Sequence, residues 1–274
     1  MRRRTCCSGF WRRTVNRIVI VTGGTSGIGL AAVEALRARG CTVYALSRHG
    51  QGEGHIPCDV ADEKSARAAV EAVLEKEGRI DILVNCAGFG ISGAGELTPL
   101  DTAKQQLNVN LFGTANMANA VIPVMRAQGG GRIVNTGSVA GFVPIPFQTW
   151  YSASKAAVQS YTMAMGNELR PFGITLTAVL PGDTKTGFTA ARQKIDDPDG
   201  LYGGRIERSV MRMEQDEQNG VPAQKVGELI AKVALKKRVN PLYIPGFSYN
   251  LVNVLMRILP SGLANRLIGV LYAK

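Results

Sequence analysis

Arg17-Ile18-Val19-Ile20-Val21-Thr22-Gly23-Gly24-Thr25-Ser26-Gly27-Ile28-Gly29 is a β-branched run that passes directly into a glycine-rich turn. An apolar run without alternation is typical of a central parallel strand that is covered on both faces. A helical pattern follows from Leu30 to Arg39 and ends at Gly40. The stretch therefore predicts the first strand, turn and helix of an α/β fold.

The glycine-rich turn has the composition of a phosphate cradle. Its glycines let the backbone approach a ligand, and the helix N-terminus presents free N–H groups to a pyrophosphate. The residues expected to bind a dinucleotide here are Gly23, Thr25, Ser26, Gly27, Ile28 and Gly29. The alternative is a tight turn that needs glycine only for its backbone dihedral angles.

The second predicted strand, Thr42 to Leu46, is followed by Ser47 and Arg48. At this point an acidic residue favours the free ribose 2′-hydroxyl, whereas an arginine accommodates a 2′-phosphate. No acid is present, so Ser47 and Arg48 predict NADP(H) over NAD(H). The alternative is an arginine in a solvated loop.

Two further predicted strands, at 55–58 and 80–84, end in candidate ligand contacts. The first is followed by Asp59 and Val60, where Asp59 either accepts from an adenine amino group or caps the helix at 62–77. The second runs into small residues that let the backbone pack close to a flat ligand, and these are Asn85, Cys86, Ala87 and Gly88.

A long helix is predicted from Thr98 onward, with Pro123 bending its later part. It contains Asn108 and Asn110, and asparagine is unfavourable in a helix interior. We therefore expect Asn110 to make a specific bond.

The chemistry is predicted to lie between Gly137 and Lys155. Ser138 follows a buried strand at 133–135, and a helix is predicted from Trp150 to Leu169. Tyr151 and Lys155 are then one turn apart on one helix face. An ammonium beside a phenol lowers the pKa of that phenol, which suits a general acid/base. A partly exposed helix face is the alternative reading of this pair.

The remaining segments predict a sheet strand, a flap and C-terminal helices. Residues 175–180 form the strand, which ends in Pro181, Gly182, Asp183, Thr184, Lys185 and Thr186. Residues 187–220 have the charged and small composition of a mobile flap over a substrate. A helix is expected at 221–236, a last strand at 242–244 and amphipathic helices at 249–259 and 261–272. A surface-lying membrane contact through these last helices is one interpretation, and packing against the domain or a second subunit is the other.

Composition excludes several classes of function. The formal charge is +11, but six of these charges are arginines at positions 2, 3, 4, 12, 13 and 17, in a segment without acids. Nucleic-acid binding is therefore not expected, and residues 1–16 are predicted to be a basic, disordered tail. Five cysteines without paired spacing favour a reducing compartment, hence the cytoplasm, and two histidines without a ligand cluster argue against a metal site.

Taken together, these motifs closely resemble the short-chain dehydrogenase/reductase family over residues 17 to about 246. The resemblance implies a single-domain, three-layer Rossmann fold with a doubly wound parallel sheet of about seven strands, followed by a helical extension at 247–274. It implies that Tyr151 is the general acid/base, that Lys155 binds the nicotinamide ribose, and that Ser138 bonds the substrate oxygen. Asn110 would hold a water of the proton relay. The cofactor contacts implied in the 181–186 loop are Pro181, Gly182, Thr184 and Thr186.

Within the family, the closest resemblance is to NADP-dependent hydroxysteroid, retinol and acyl-dihydroxyacetone-phosphate reductases. It implies a hydrophobic alcohol or ketone as substrate, with apolar walls from residues 142–147, and a homodimer or homotetramer. A 3-ketoacyl-thioester reductase and a non-catalytic NADP-sensing interaction protein are the alternatives. Cys86 replaces the second asparagine of the family's Asn-Asn-Ala-Gly motif, which we expect to matter little.

Overall fold

Residues 16–273 are described by a computed structural model, so the predicted basic tail lies outside the described residues except for Asn16. The strands are β1 Ile18–Thr22, β2 Thr42–Ser47, β3 His55–Pro57, β4 Ile82–Asn85, β5 Ile91–Ser92, β6 Gly131–Thr136, β7 Ile174–Val179, β8 Thr184–Lys185, β9 Gln193–Lys194, β10 Val221–Pro222 and β11 Leu242–Tyr243. The helices are α1 Gly27–Arg37, α2 Glu63–Glu77, α3 Leu100–Leu107, α4 Gly113–Ala127, α5 Thr149–Leu169, α6 Phe188–Ala191, α7 Arg205–Gln218, α8 Ala223–Leu235, α9 Phe247–Ile258 and α10 Ser261–Tyr272.

Seven parallel strands form the central sheet in the order β11-β7-β6-β4-β1-β2-β3. Residues along β1 alternate between the two faces, yet all of them are apolar up to Thr22 and all are buried. Ile18 and Ile20 pack into a core with α2 and α4, whereas Val19 and Val21 pack into a second core with α1 and α8. The result is the expected single α/β domain in three layers, which confirms the predicted fold class.

The sheet brings the predicted site residues to one edge, because its strands are parallel. Thr22 lies in register with Asn85, Asn85 with Asn135, and Thr136 with Val179. Chain order reverses between β1 and β4, and such a switch point opens a crevice at the carboxyl ends of the strands. Every candidate motif follows a strand at this edge or lies on a helix that faces it.

The predicted long helix is interrupted in the structure. It divides into α3, a π-helical turn at Asn108–Phe112, and α4. Gly113, which follows the π turn, packs against the loop that leads into α2. A Cβ on Gly113 would lie 2.6 Å from Val60 Cγ2. π turns are rare and occur frequently at functional sites.

Residues 187–220 contain more regular structure than the sequence predicted. They include α6, β9 and the long helix α7. β9 pairs in parallel with β5 and so attaches this segment to the domain, and β8 and β10, which flank the segment, pair with each other. We keep the name flap for residues 187–220.

Candidate active site

Tyr151 and Lys155 lie on one face of α5, as the sequence predicted. The Lys155 ammonium nitrogen is 5.7 Å from the centre of the Tyr151 ring, and Lys155 is buried. Its ammonium donates to the carbonyl of Thr136 over 2.9 Å, which fixes the lysine against the end of β6. The Ser138 hydroxyl also lies close enough to the phenol to lower its pKa. The three predicted catalytic side chains therefore meet at one point.

Ser138 is positioned by a short 3-10 turn at Val139–Gly141. Its hydroxyl oxygen accepts from the N–H of Ala140 over 3.1 Å, and its carbonyl accepts from the side chain of Gln159. Because Gln159 stands on α5, one helix holds both the serine and the tyrosine. The Ser138 hydroxyl can thus donate to an oxygen that also receives a hydrogen bond from Tyr151.

Asn110 lies in the π turn and makes the specific bonds that its position in a helix predicted. Its side-chain oxygen accepts from the N–H of Phe89, and its amide donates to the Phe89 carbonyl, each over 3.1 Å. The amide also donates to the Ser154 hydroxyl over 3.0 Å. These bonds clamp the segment after β4 onto α5. Sequence reasoning missed Phe89 and Ser154, because nothing local marks either residue.

Gly88 occupies the narrow space between Asn110 and Lys155. A Cβ on Gly88 would lie 3.0 Å from the Asn110 side-chain oxygen and 3.7 Å from the Lys155 nitrogen. The preceding residues, Cys86 and Ala87, both donate backbone N–H groups to the hydroxyl of Thr22 over 3.1 Å. Asn85 is buried and donates to the side chain of Asn135. The small residues therefore allow close approach, as expected.

The glycine-rich turn retains donors for an anion. Ser26 is the N-cap of α1, but its side chain makes no capping hydrogen bond. The first N–H groups of α1 are thus left for a ligand, as a pyrophosphate requires. Gly29 is also needed for packing, since a Cβ there would lie 2.1 Å from the carbonyl oxygen of Gly23. The packing reading therefore applies to Gly29, and phosphate binding by the turn stays a prediction.

The 181–186 loop lies beside this turn. A Cβ on Gly27 would be 3.6 Å from Cβ of Thr186, and the hydroxyl of Thr184 donates to the carbonyl of Gly182. The Pro181 carbonyl accepts from the N–H of Val139, which joins the loop to the Ser138 turn. These residues fit a dinucleotide that runs from the glycine-rich turn to Tyr151.

The predicted adenosine contacts lie at the far end of the same edge. Arg48 is exposed, and the Ser47 hydroxyl donates to the carbonyl of His49. The Asp59 carboxylate accepts from the N–H of Ala61, whereas Asp62 is the residue that caps α2. Asp59 is therefore not the helix cap, and Val60 beside it is buried against Gly113.

The pKa of Tyr151 differs from the sequence-based expectation. Burial raises the pKa of this phenol to about 12, the Ser138 hydrogen bond lowers it, the Glu217 carboxylate raises it, and Arg192 lowers it. The expected lowering of the Tyr151 pKa is thus wrong for the protein without cofactor, because the cost of burying a phenolate outweighs the favourable interactions. Burial likewise lowers the pKa of Lys155 to about 8.

The flap covers the tyrosine. The Phe188 ring lies 5.6 Å from the Tyr151 ring, and a Cβ on Gly90 would lie 2.7 Å from Cζ of Phe188. Behind Phe188, the fully buried side chain of Arg192 forms an ion pair with Glu217 of α7. Neither partner was predicted, because 25 residues separate them along the chain.

Lys155 should make the stability of the protein depend on pH. Its folded-state pKa of about 8 lies below its ordinary value of 10.5, so the unfolded chain holds this proton more tightly. The lysine's contribution to the free energy of unfolding should therefore rise between about pH 8 and about pH 10.5. Urea unfolding of wild type and Lys155→Met across this range isolates that contribution.

Raising the pH should increase the free energy of unfolding least in Lys155→Met. Lys232→Met is the matched control, since Lys232 is exposed and its ammonium stays in water when the chain folds. A stability difference between wild type and Lys155→Met that is independent of pH would contradict the assignment.

Comparisons with known proteins identify the family of this chain. The model of the short chain dehydrogenase family matches residues 17–197. A 3-ketodihydrosphingosine reductase of Bacteroides thetaiotaomicron is 38% identical over 227 residues, which cover 81% of this chain and 84% of that protein. The 3-hydroxyacyl-CoA dehydrogenase type-2 of Bos taurus is 35% identical over 188 residues, covering 60% and 72%.

A solved short-chain dehydrogenase from Streptomyces avermitilis superimposes with a TM-score of 0.78 and 27% identity. The superposition covers 94% of this chain and 97% of that one. The chain therefore belongs to the short chain dehydrogenase family and is an oxidoreductase that acts on CH–OH groups.

Proposed function

We propose that this protein is an NADP(H)-dependent oxidoreductase that interconverts a hydrophobic secondary alcohol and its ketone. The observation that carries the proposal is the meeting of Tyr151, Ser138 and Lys155 beside the glycine-rich turn. When bound, the nicotinamide supplies or accepts the hydride. The residues of the chain supply position and the proton.

Each side chain has a separate task in ketone reduction. The Ser138 and Tyr151 hydroxyls both donate to the substrate oxygen, and Tyr151 transfers its proton as the alcohol forms. Lys155 would hold the ribose hydroxyls and bring a positive charge toward the phenol. Its lowered pKa of about 8 leaves it largely cationic at neutral pH. Asn110 positions Ser154 and Phe89 behind the lysine, where we place the proton relay.

An apolar substrate is supported by the surroundings of the site. Phe147 and Ile145 pack with flap residues Ile206, Val210 and Met213 in a small separate core. For these two loop residues core packing is thus the correct reading, whereas Phe142 and Val143 are partly exposed. The similar reductase from Bacteroides thetaiotaomicron acts on a sphingoid ketone. We therefore favour a long-chain ketone over the steroid and retinoid classes.

A thioester ketone is the second candidate. It is favoured by the likeness to the bovine 3-hydroxyacyl-CoA dehydrogenase. We also propose a homodimer or homotetramer and a cytoplasmic site of action, following the family resemblance and the unpaired cysteines.

A substrate panel tests the proposed reaction. Purified protein with NADPH is offered 3-ketodihydrosphingosine, steroid ketones and acetoacetyl-CoA, and the absorbance of the reduced nicotinamide is followed. We expect kcat/KM for the sphingoid ketone to exceed that for the thioester by about tenfold or more, the scale of discrimination by an apolar pocket. Reversed selectivity supports the second candidate, and no turnover of any ketone contradicts the function.

Arg48→Asp should move cofactor preference toward NADH. The new carboxylate repels a 2′-phosphate and accepts from a free 2′-hydroxyl, so the NADPH/NADH ratio of kcat/KM should fall by about tenfold or more. Gln51→Asp is the control, because it adds an exposed carboxylate to the same loop. An unchanged ratio in Arg48→Asp, or an equal change in both variants, would refute the 2′-phosphate contact.

A further inference from the structure

The two C-terminal helices turn apolar stripes toward solvent. In α9 the exposed apolar residues are Phe247, Leu251, Val254, Leu255 and Ile258. In α10 they are Leu263, Leu267, Val270 and Leu271. Both sets recur every three or four residues, so each lies along one side of its helix. The solvent face of a surface helix is normally polar, and exposed apolar surface of this extent marks an interaction site.

The charges on these helices are all positive. Between Phe247 and Ala273 the chain contains Arg257 and Arg266 and no aspartate or glutamate. Both arginines are exposed, and each lies about a quarter turn from the centre of its stripe at 100° per residue. An arginine in such a position can lay its stem along an apolar layer while its guanidinium reaches a negatively charged headgroup.

A groove extends this surface onto the flap. It has a volume of about 390 Å³ and lies between α7 and α10. Its lining combines apolar side chains with two further arginines, and includes Met211, Val270, Leu271, Arg208 and Arg212. Apolar and basic side chains therefore also line this groove, where Arg212 is ion-paired with Asp216 of α7.

We propose that α9 and α10 dock this protein on an anionic lipid bilayer, lying in the interface rather than crossing it. Each helix has 12 residues and is about 18 Å long, whereas the hydrocarbon layer is about 30 Å thick. Among the helices of residues 16–273, none is long and apolar enough to span a membrane. The proposal rests on the proposed function only for the lipid character of the substrate.

Tyr249 connects the docking helix to the cofactor site. Its hydroxyl donates to the carboxylate of Asp183 over 2.6 Å and accepts from the N–H of Asp183 over 3.0 Å. Its ring packs so tightly on Gly182 that a Cβ there would lie 2.2 Å from Cζ. A bilayer that binds α9 therefore also fixes the 181–186 loop. Such docking places the flap at the membrane surface, where a long-chain ketone dissolves.

A second copy of the chain is the competing occupant. A symmetric dimer formed through these stripes would gather the arginines of both copies, and neither helix offers an acid to pair with them. Negatively charged lipid headgroups supply that pairing.

Vesicle sedimentation of the full chain tests the proposal. Wild type is mixed with phosphatidylcholine vesicles, with or without phosphatidylglycerol, alongside Ile258→Glu/Leu267→Glu and the control Asn265→Glu. Asn265 is exposed on α10 but lies outside the stripe, so its variant adds a like charge without entering the apolar layer. Circular dichroism melting confirms that each variant is folded, and light scattering gives its oligomeric state.

We expect wild type and Asn265→Glu to sediment with anionic vesicles. The double variant should bind about 100-fold more weakly, because two apolar contacts are replaced by charges. Wild type that remains in solution with anionic vesicles overturns the proposal. A double variant that binds vesicles normally but dissociates from dimer to monomer also overturns it, and assigns the face to a second copy. These measurements do not use enzymatic turnover, so they stand apart from a failure of the proposed function.

Discussion

Tyr151→Phe should reduce turnover by about 10²-fold to 10⁴-fold while leaving cofactor affinity unchanged, the range expected for removing a general acid. The variant loses the hydroxyl that lies near Ser138 but keeps the ring that packs on Phe188. Structure and binding should therefore survive, and only proton transfer should fail. Steady-state kinetics with the best ketone, together with fluorescence titration of NADPH, measure the two effects.

Tyr161→Phe is the matched control for that experiment. Tyr161 stands on the same helix, and its hydroxyl is buried without a hydrogen-bond partner among the described residues. Removing it should leave turnover within about twofold of wild type. Near-normal turnover in Tyr151→Phe would refute the general-acid role, and an equal loss in both variants would indicate damage to α5 instead.

Arg132→Met should lower the free energy of unfolding by about 3–5 kcal/mol. The Arg132 guanidinium on β6 is fully buried, and burial lowers its pKa to about 10. It donates to the carbonyls of Val233, Ala234 and Lys236 at the end of α8, and to the hydroxyl of Thr175. Methionine fills similar space but leaves these acceptors without their donor.

Urea unfolding of Arg132→Met provides the measurement. Arg238→Met is its control, because Arg238 is exposed in the loop that follows α8. It should change the free energy of unfolding by about 0.5 kcal/mol or less. A loss of less than about 1 kcal/mol in Arg132→Met would contradict the capping role. Catalysis at low temperature should survive in the folded fraction, since Arg132 lies at the opposite edge of the sheet from Tyr151.

The fold was predictable because its signals are local. The β-branched run at 18–21 and the glycines after it are each read within a few residues. Parallel strands then carry all of their carboxyl ends to one edge, so the motifs at those ends were expected to meet. Tyr151, Lys155 and Ser138 meet for this reason.

The remaining features depend on contacts that no local pattern contains. The Arg192–Glu217 pair, the Arg132 cap and the Tyr249–Asp183 bond join residues far apart in the chain. The only sequence signal for the π turn around Asn110 was an asparagine at an unfavourable position inside a predicted helix. The predicted direction of the Tyr151 pKa shift was wrong. The shift depends on how deeply the flap buries the phenol, which cannot be read from Lys155 alone.

Cys86, which precedes Ala87 and Gly88, should react slowly with oxidants and alkylating reagents. Its sulfur lies 3.1 Å from the Thr136 hydroxyl, and burial raises the pKa of the thiol to about 11. At pH 7 only about one molecule in 10⁴ then carries the reactive thiolate. Iodoacetamide or peroxide at moderate concentration should therefore modify this position slowly at pH 7.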